Sequence, residues 1–277
     1  MNRSVLIETL RKNPIRAIAF ILVAAVILAA VLGPAAAPHD PLKVEFSQRL
    51  APPSADYIMG TDAMGRCLFS RILAGSRTSI GIGLLVVICS SLIGLVVGLI
   101  SGYMGGIVDE CLMRVVDVFL ALPEIIAAMT LAGLLGAGWG HLVFALSITG
   151  WMRYARLVRG ITLSVRQREY VTFARFSGVP QVVVILRHIL PSSIPALIVL
   201  ATLGLAKSII AVSALGFLGF GVQPPIPEWG TLLMEGKDYI LSAPHLCIFP
   251  GLAIMLTVLG FNLLGDSFHD ITNSVSD

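Results

Sequence analysis

Apolar runs long enough to cross a lipid bilayer recur along this chain, and they constrain its fold before anything else does. One helical crossing takes about 20 predominantly apolar residues. Runs of that kind occur at roughly 15–32, 79–103, 114–136, 140–160, 190–215 and 246–266. In lipid each run must satisfy its own backbone hydrogen bonds, which a helix does. The expected fold is therefore all-α: a polytopic membrane protein with six transmembrane helices. The composition agrees. The chain is 56% hydrophobic and 13% charged, with mean hydropathy +0.91, where a soluble domain carries about 25% charged residues.

The first run has basic residues before it and small residues after it, as a signal peptide would. It is longer than the usual apolar core of about 7–15 residues, so it reads as an uncleaved first helix. Arg3, Arg11, Lys12 and Arg16 are expected to hold its start in the cytoplasm. Six crossings then return the C-terminus to the same side. On this reading the cytoplasmic face carries those four with Arg114, Arg153, Arg156, Arg159, Arg166, Arg168, Arg175 and Arg187. The outer face carries Lys43, Arg49, Arg66, Arg71, Arg77 and Lys237. The excess agrees with the positive-inside rule. The cluster Arg66, Arg71 and Arg77 opposes it, and is read as an outer amphipathic helix leading into the second crossing. Three segments follow: 1–78, with the tail, first helix and outer polar stretch; 79–267, a five-helix core; and 268–277, a cytoplasmic tail.

Several function classes are excluded. There is no basic run with interleaved aromatics, so nucleic acid is not a partner. Cys67, Cys89, Cys111 and Cys247 are scattered without a C-x-x-C, which argues against a disulfide framework or a zinc site. His39, His141 and His245 are single and far apart, so no metal ligand set is assigned. No G-x-x-x-x-G-K-[ST] occurs, and Lys207-Ser208 lacks the preceding glycine. The chain therefore binds no nucleotide of its own. No nucleophile is paired with a base, so no catalytic residue is assigned.

Two local patterns carry more specific meaning. Gly94, Gly98 and Gly102 lie four residues apart and share one helix face, which lets another helix backbone approach closely. The stretch TFARFSGVPQVVVILRHILP (residues 172–191) interrupts the apolar sequence between the fourth and fifth runs. Tyr170, Phe173, Ala174 and Phe176 are spaced as on a short amphipathic helix. Gly178 suits the left-handed turn that ends one, Pro180 reinforces the stop, Val182 restarts a helix, and Pro191 opens the next crossing. The loop at about 166–190 is thus a helix, a glycine turn and a helix displayed into the cytoplasm, a shape suited to docking into a cleft on a soluble partner.

This loop resembles the cytoplasmic "EAA" loop of ABC-importer permeases: E-A-A, three residues, Gly, nine residues, then I-x-L-P. Thr172, Phe173 and Ala174 stand in the E-A-A place, Gly178 is the glycine, His188 sits at the isoleucine place, and Leu190-Pro191 match the end. The stretches MGTDAMGRCLFSRILAGSRTSI (59–80) and FLGFGVQPPIPEWGTLL (217–233) resemble signatures of the dipeptide/oligopeptide/nickel permease subfamily, with Cys67 where the subfamily usually has Asp. The likeness runs from Asn13-Pro14 to Gly265-Asp266.

The resemblance implies a multi-pass subunit of the bacterial cytoplasmic (inner) membrane, with both termini inside. It implies pairing with a second, different permease, two ATPase subunits that hold ATP and Mg, and an extracytoplasmic substrate-binding protein. Cargo is expected to be peptide-like first, then nickel or a metal chelate. Glu169, Tyr170, Thr172, Phe173, Ala174, Gly178, His188 and Pro191 are the expected ATPase-coupling residues. An autonomous secondary transporter is the alternative, opposed by sparse membrane carboxylates and the lack of an inverted repeat.

Ionisable residues inside the apolar runs complete the reading. Lys207 lies within the fifth run, where a charge is costly and by default functional. It is either a pathway cation that meets an anionic or carboxylate-bearing substrate, or an internally bonded side chain. Glu124, just after Pro123, is the second pathway candidate. Asp117 is expected to pair with Arg114 at i−3, in a D-x-x-x-x-x-P pattern that marks a kink. Trp139, Trp151 and Trp229 are expected at membrane interfaces. The segment GFGVQPPIPEWG is rigid, and serves as a gate, a docking platform or a structural cap.

Overall fold

The structure, a computed structural model, describes residues 14–274. The expectations placed on Arg3, Arg11, Lys12 and Asn13 lie outside the described residues. The described residues form helices joined by turns and irregular segments, with no strand among them.

Helix α1 spans Pro14–Ala36. An irregular segment with one 3₁₀ turn (Phe46–Gln48) leads to α2, Leu68–Met104. The chain continues through α3 (Gly106–Ala121), α4 (Glu124–Leu135), α5 (Trp139–Gly150) and α6 (Met152–Arg166). Short α7 (Glu169–Phe176) and α8 (Gln181–Val184) precede α9 (Leu190–Phe217). Helices α10 (Trp229–Gly236) and α11 (His245–Ser274) finish the fold. Four stretches are long and apolar enough to cross a membrane: Arg16–Gly33, Leu68–Met104, Gln181–Phe217 and His245–Ser267. The pair α3–α4 is long and apolar enough only when its two helices are taken together, and it bends by 90° between them. The bend sits where expected. Pro123 has no N–H to give, and Leu122 before it is extended at φ −90° and ψ 139°. The fourth apolar run corresponds to α5 and α6, which part at Trp151.

Helix α2 organises the bundle. With 37 residues it is about 55 Å long at 1.5 Å per residue, well beyond the ~30 Å hydrocarbon core. One end therefore stands clear of lipid. The expected boundary at residue 78 falls inside this helix. Helices α1, α6 and α9 all pack on α2, and α11 closes against α1 and α9.

The small-residue face of α2 explains its contact with α6. A Cβ on Gly94 would lie 2.7 Å from the Trp151 carbonyl oxygen, one on Gly98 2.6 Å from that of Ala155, and one on Gly102 2.6 Å from Thr162 Cβ. Real Cβ atoms do not approach so closely. Glycine at all three positions lets the two backbones touch along three turns, as the spacing predicted.

The protruding end of α2 differs from the expectation. Arg66 and Arg71 do not form a solvated amphipathic face. Both are buried, because two carboxylates meet them there. Arg66 Nε donates to Asp62 Oδ2 at 2.6 Å and its Nη2 to Glu235 Oε2 at 3.1 Å. Arg71 Nη1 reaches Asp62 at 3.0 Å and Nη2 reaches Glu235 at 2.8 Å. Arg77 remains exposed. Helix α10 supplies Glu235, so this four-residue cluster ties α10 to the start of α2.

Candidate functional site

The loop between α6 and α9 is a helix, a turn and a helix. Helix α7 ends at Gly178 with φ +79°. There the Gly178 N–H donates to Arg175 O at 3.1 Å and the Val179 N–H to Ala174 O at 3.2 Å. These bonds satisfy carbonyls that a helix end leaves open, and the left-handed residue is a glycine because a Cβ would strain it. Pro180 caps the next helix, its carbonyl accepting from Val183 at 3.0 Å and Val184 at 3.1 Å. Ile185–Ile189 form one π turn, closed by Leu190 N–H to Ile185 O. Such a wide turn accommodates Pro191, whose ring cannot sit against a regular preceding turn. The second arm therefore runs without interruption into α9.

One side of this loop is anchored. Val171, Val184 and Ile189 are fully buried with Leu99, Tyr103 and Val158. The Arg166 and Arg175 guanidiniums lie 5.8 and 5.9 Å from the Tyr103 ring centre. Tyr170 and His188, one on each arm, bring their rings to 5.7 Å. The other side is bare: Phe173 is 75% exposed and Phe176 88%. Glu169, Tyr170 and Pro191 are exposed, and Thr172, Ala174 and His188 half-buried. A cleft of about 460 Å³ opens beside the turn, lined by Tyr103, Thr172, Arg175, Phe176 and Gly178 among others.

The second constellation lies along α6. Its arginines at 153, 156 and 159 are three residues apart and lie along one side of the helix. Each meets a carboxylate from the bent pair: Arg153 with Glu124, Arg156 with Asp117, and Arg159 with Asp109. This corrects the expected Asp117–Arg114 pair. Arg114 turns toward Glu110, 3.8 Å away at i−4, because α6 brings Arg156 directly to Asp117. The last rung is bidentate, with Arg159 Nε to Oδ1 at 2.5 Å and Nη2 to Oδ2 at 2.6 Å. Ser101 Oγ donates to the same carboxylate.

Lys207 and Glu124, 83 residues apart by their numbers, line one cavity of about 150 Å³ with Arg153, Tyr154, Ser90, Ser208 and Asn262. Lys207 is exposed toward it.

The proline-rich segment after α9 carries a residue that the sequence reading did not single out. Glu228 is fully buried and caps α10, accepting from Gly230 N at 2.9 Å, Thr231 N at 2.9 Å and Ser79 Oγ at 2.9 Å. Burial pushes its carboxyl above the ordinary range, against the pull of these donors. An acid just before a short helix was the available signal. Trp229 is buried against α2, and its Nε1 donates to Ile72 O at 3.1 Å. Trp151 is buried too, and only Trp139 of the three is exposed. His39 stacks on Tyr57, while His141 and His245 bond to backbone carbonyls. No group of metal-ligating side chains occurs among the described residues.

Residues 94–274 match the family described as binding-protein-dependent transport system inner membrane component. Residues 6–53 match the N-terminal transmembrane domain of oligopeptide transport permease C. The chain is 40% identical to the probable D,D-dipeptide transport system permease protein DdpC of Escherichia coli K12, over 98% of this chain and 91% of that one. It is 43% identical to the glutathione transport system permease protein GsiD of Pectobacterium atrosepticum, over 79% and 72%. It is 38% identical to the nickel transport system permease protein NikC of E. coli K12, over 91% of each chain. Among solved structures it is similar to the MetNI methionine ABC transporter in inward-facing conformations, with TM-score 0.51, 18% identity, 69% of this chain and 92% of that one covered. At that identity the likeness concerns the fold. The chain belongs to the family of binding-protein-dependent transport system inner membrane components.

Proposed function

We propose that this chain is one of two different permease subunits in an ATP-driven importer of peptides or of nickel and metal chelates. The relatives' names support that range of cargo. In this reading two ATPase subunits hold ATP and Mg, and an extracytoplasmic binding protein delivers the cargo. The bent pair α3–α4 makes the third of six crossings, α5 and α6 together make the fourth, and both termini are cytoplasmic. Segment 79–267 is the permease core and 268–277 a tail.

The observation that carries the reading is the loop at Gly178. It is anchored on one side by Val171, Val184 and Ile189 and presents Phe173 and Phe176 on the other. Its second arm is continuous with α9. An ATPase cleft that grips the phenylalanines and moves would swing α9 as a rigid lever, and through α6 the ladder that holds α3 and α4. Rigid-body motion of packed helices is a common way to switch access. Lys207 and Glu124 lie on the route that this motion opens and closes.

Replacing Gly178 by valine tests it. A β-branched residue is strained at φ +79°, so the turn reopens and the loop loses its shape. The expected result, in vesicles holding the whole transporter, is ATP hydrolysis that continues while uptake falls at least tenfold. Unchanged coupled uptake rules out the docking role.

A further inference from the structure

Lys207 carries the charge that the cavity leaves uncompensated. It sits in the middle of α9, between buried Leu205, Ala206 and Ile209. No carboxylate among the described residues reaches it within ion-pair distance. The one acid lining the cavity, Glu124, is engaged by Arg153. Two cations therefore face one carboxylate, and the walls are otherwise neutral: Tyr154, Ser90, Ser208 and Asn262 supply hydrogen-bonding groups. An ammonium in an apolar helix demands water or a counter-ion. Among the described residues it has no counter-ion, and the cavity lining they form keeps a net positive charge.

We propose that the Lys207 cavity is a station for an anionic group of the cargo, of the carboxylate class, and that it disfavours a bare divalent cation. The proposal rests on the permease reading. The sign of the field follows from the residues themselves. A carboxylate there gains the ammonium, with neutral donors beside it. A dication meets two fixed positive charges and a carboxylate already taken. A metal would then pass this point only as a chelate whose ligands bring negative charge.

The test needs no knowledge of the cargo. Ser208→Cys puts a thiol on the cavity wall of the complete transporter, with Cys67, Cys89, Cys111 and Cys247 replaced by alanine. The probes are a negatively charged sulfonatoethyl and a positively charged trimethylammonioethyl methanethiosulfonate, each scaled to its rate on a free thiol. One unit charge at ~7 Å in water should favour the negative reagent about sevenfold. Lys207→Gln should bring the ratio close to one, and Lys207→Arg should keep it. Overturning results are a ratio that survives Lys207→Gln, a preference for the positive reagent, or no labelling at Ser208→Cys while exposed Leu241→Cys reacts. Co-purification separates the two readings. Recovered ATPase subunits with a flat ratio sink the anion station alone, and a correct ratio without any ATPase sinks the importer reading.

Discussion

Arg159 grips Asp109 with two parallel hydrogen bonds, at 2.5 and 2.6 Å, and so clamps the last two turns of α6 to the first turn of α3. The planar fork of arginine matches a carboxylate in a way that lysine does not. A double-mutant cycle with Asp109→Asn and Arg159→Gln should give a coupling of about 1–2 kcal/mol in detergent unfolding. The same cycle on Glu110 and Arg114, which are 3.8 Å apart and largely exposed, should give no more than about 0.5 kcal/mol. Equal couplings would mean that the ladder adds nothing beyond a surface pair.

The glycine face of α2 predicts a sharp positional effect. Gly98→Leu drives a side chain against the Ala155 carbonyl oxygen, 2.6 Å from the new Cβ, and overpacking of this kind costs about 1–3 kcal/mol. On the same helix a Cβ at Gly81 meets nothing within 4 Å, and Gly81→Leu should leave stability unchanged or raised. Thermal unfolding of both variants in one detergent decides it, and similar melting points would contradict the contact.

The cluster at the protruding end of α2 makes stability depend on pH. Burial raises the Glu235 carboxyl above its ordinary 4.5, with Arg66 pulling it back and Asp62 pushing it up. Just above the ordinary value the folded state therefore binds more protons at this site than the unfolded chain does. This contribution is fully present below about 4.5 and is lost as pH rises through the raised value. Glu235→Gln should remove that part of the slope of melting temperature against pH. Wild-type and variant curves that run parallel from pH 4 upward would refute it.

Three local features were legible in the sequence and three pairings were not. The Gly94, Gly98 and Gly102 face was legible because helical spacing is a local property, and only a partner's identity was missing. The turn at Gly178 was legible because its backbone conformation requires that residue whatever surrounds it. The same holds for the kink at Pro123, where a missing N–H breaks the hydrogen-bond pattern. The partners of charged residues were not legible. Asp117 has Arg114 one turn before it, yet the fold gives it Arg156, 39 residues away. Arg71 reads as a solvated residue on a helix and is fully buried, because Glu235 arrives from a helix 164 residues later. Lys207 and Glu124 line one cavity for the same reason. Helix, membrane crossing and turn follow from periodicity and backbone sterics, which act between neighbours in the chain. Charge pairing follows from which helices touch, and only tertiary packing decides that.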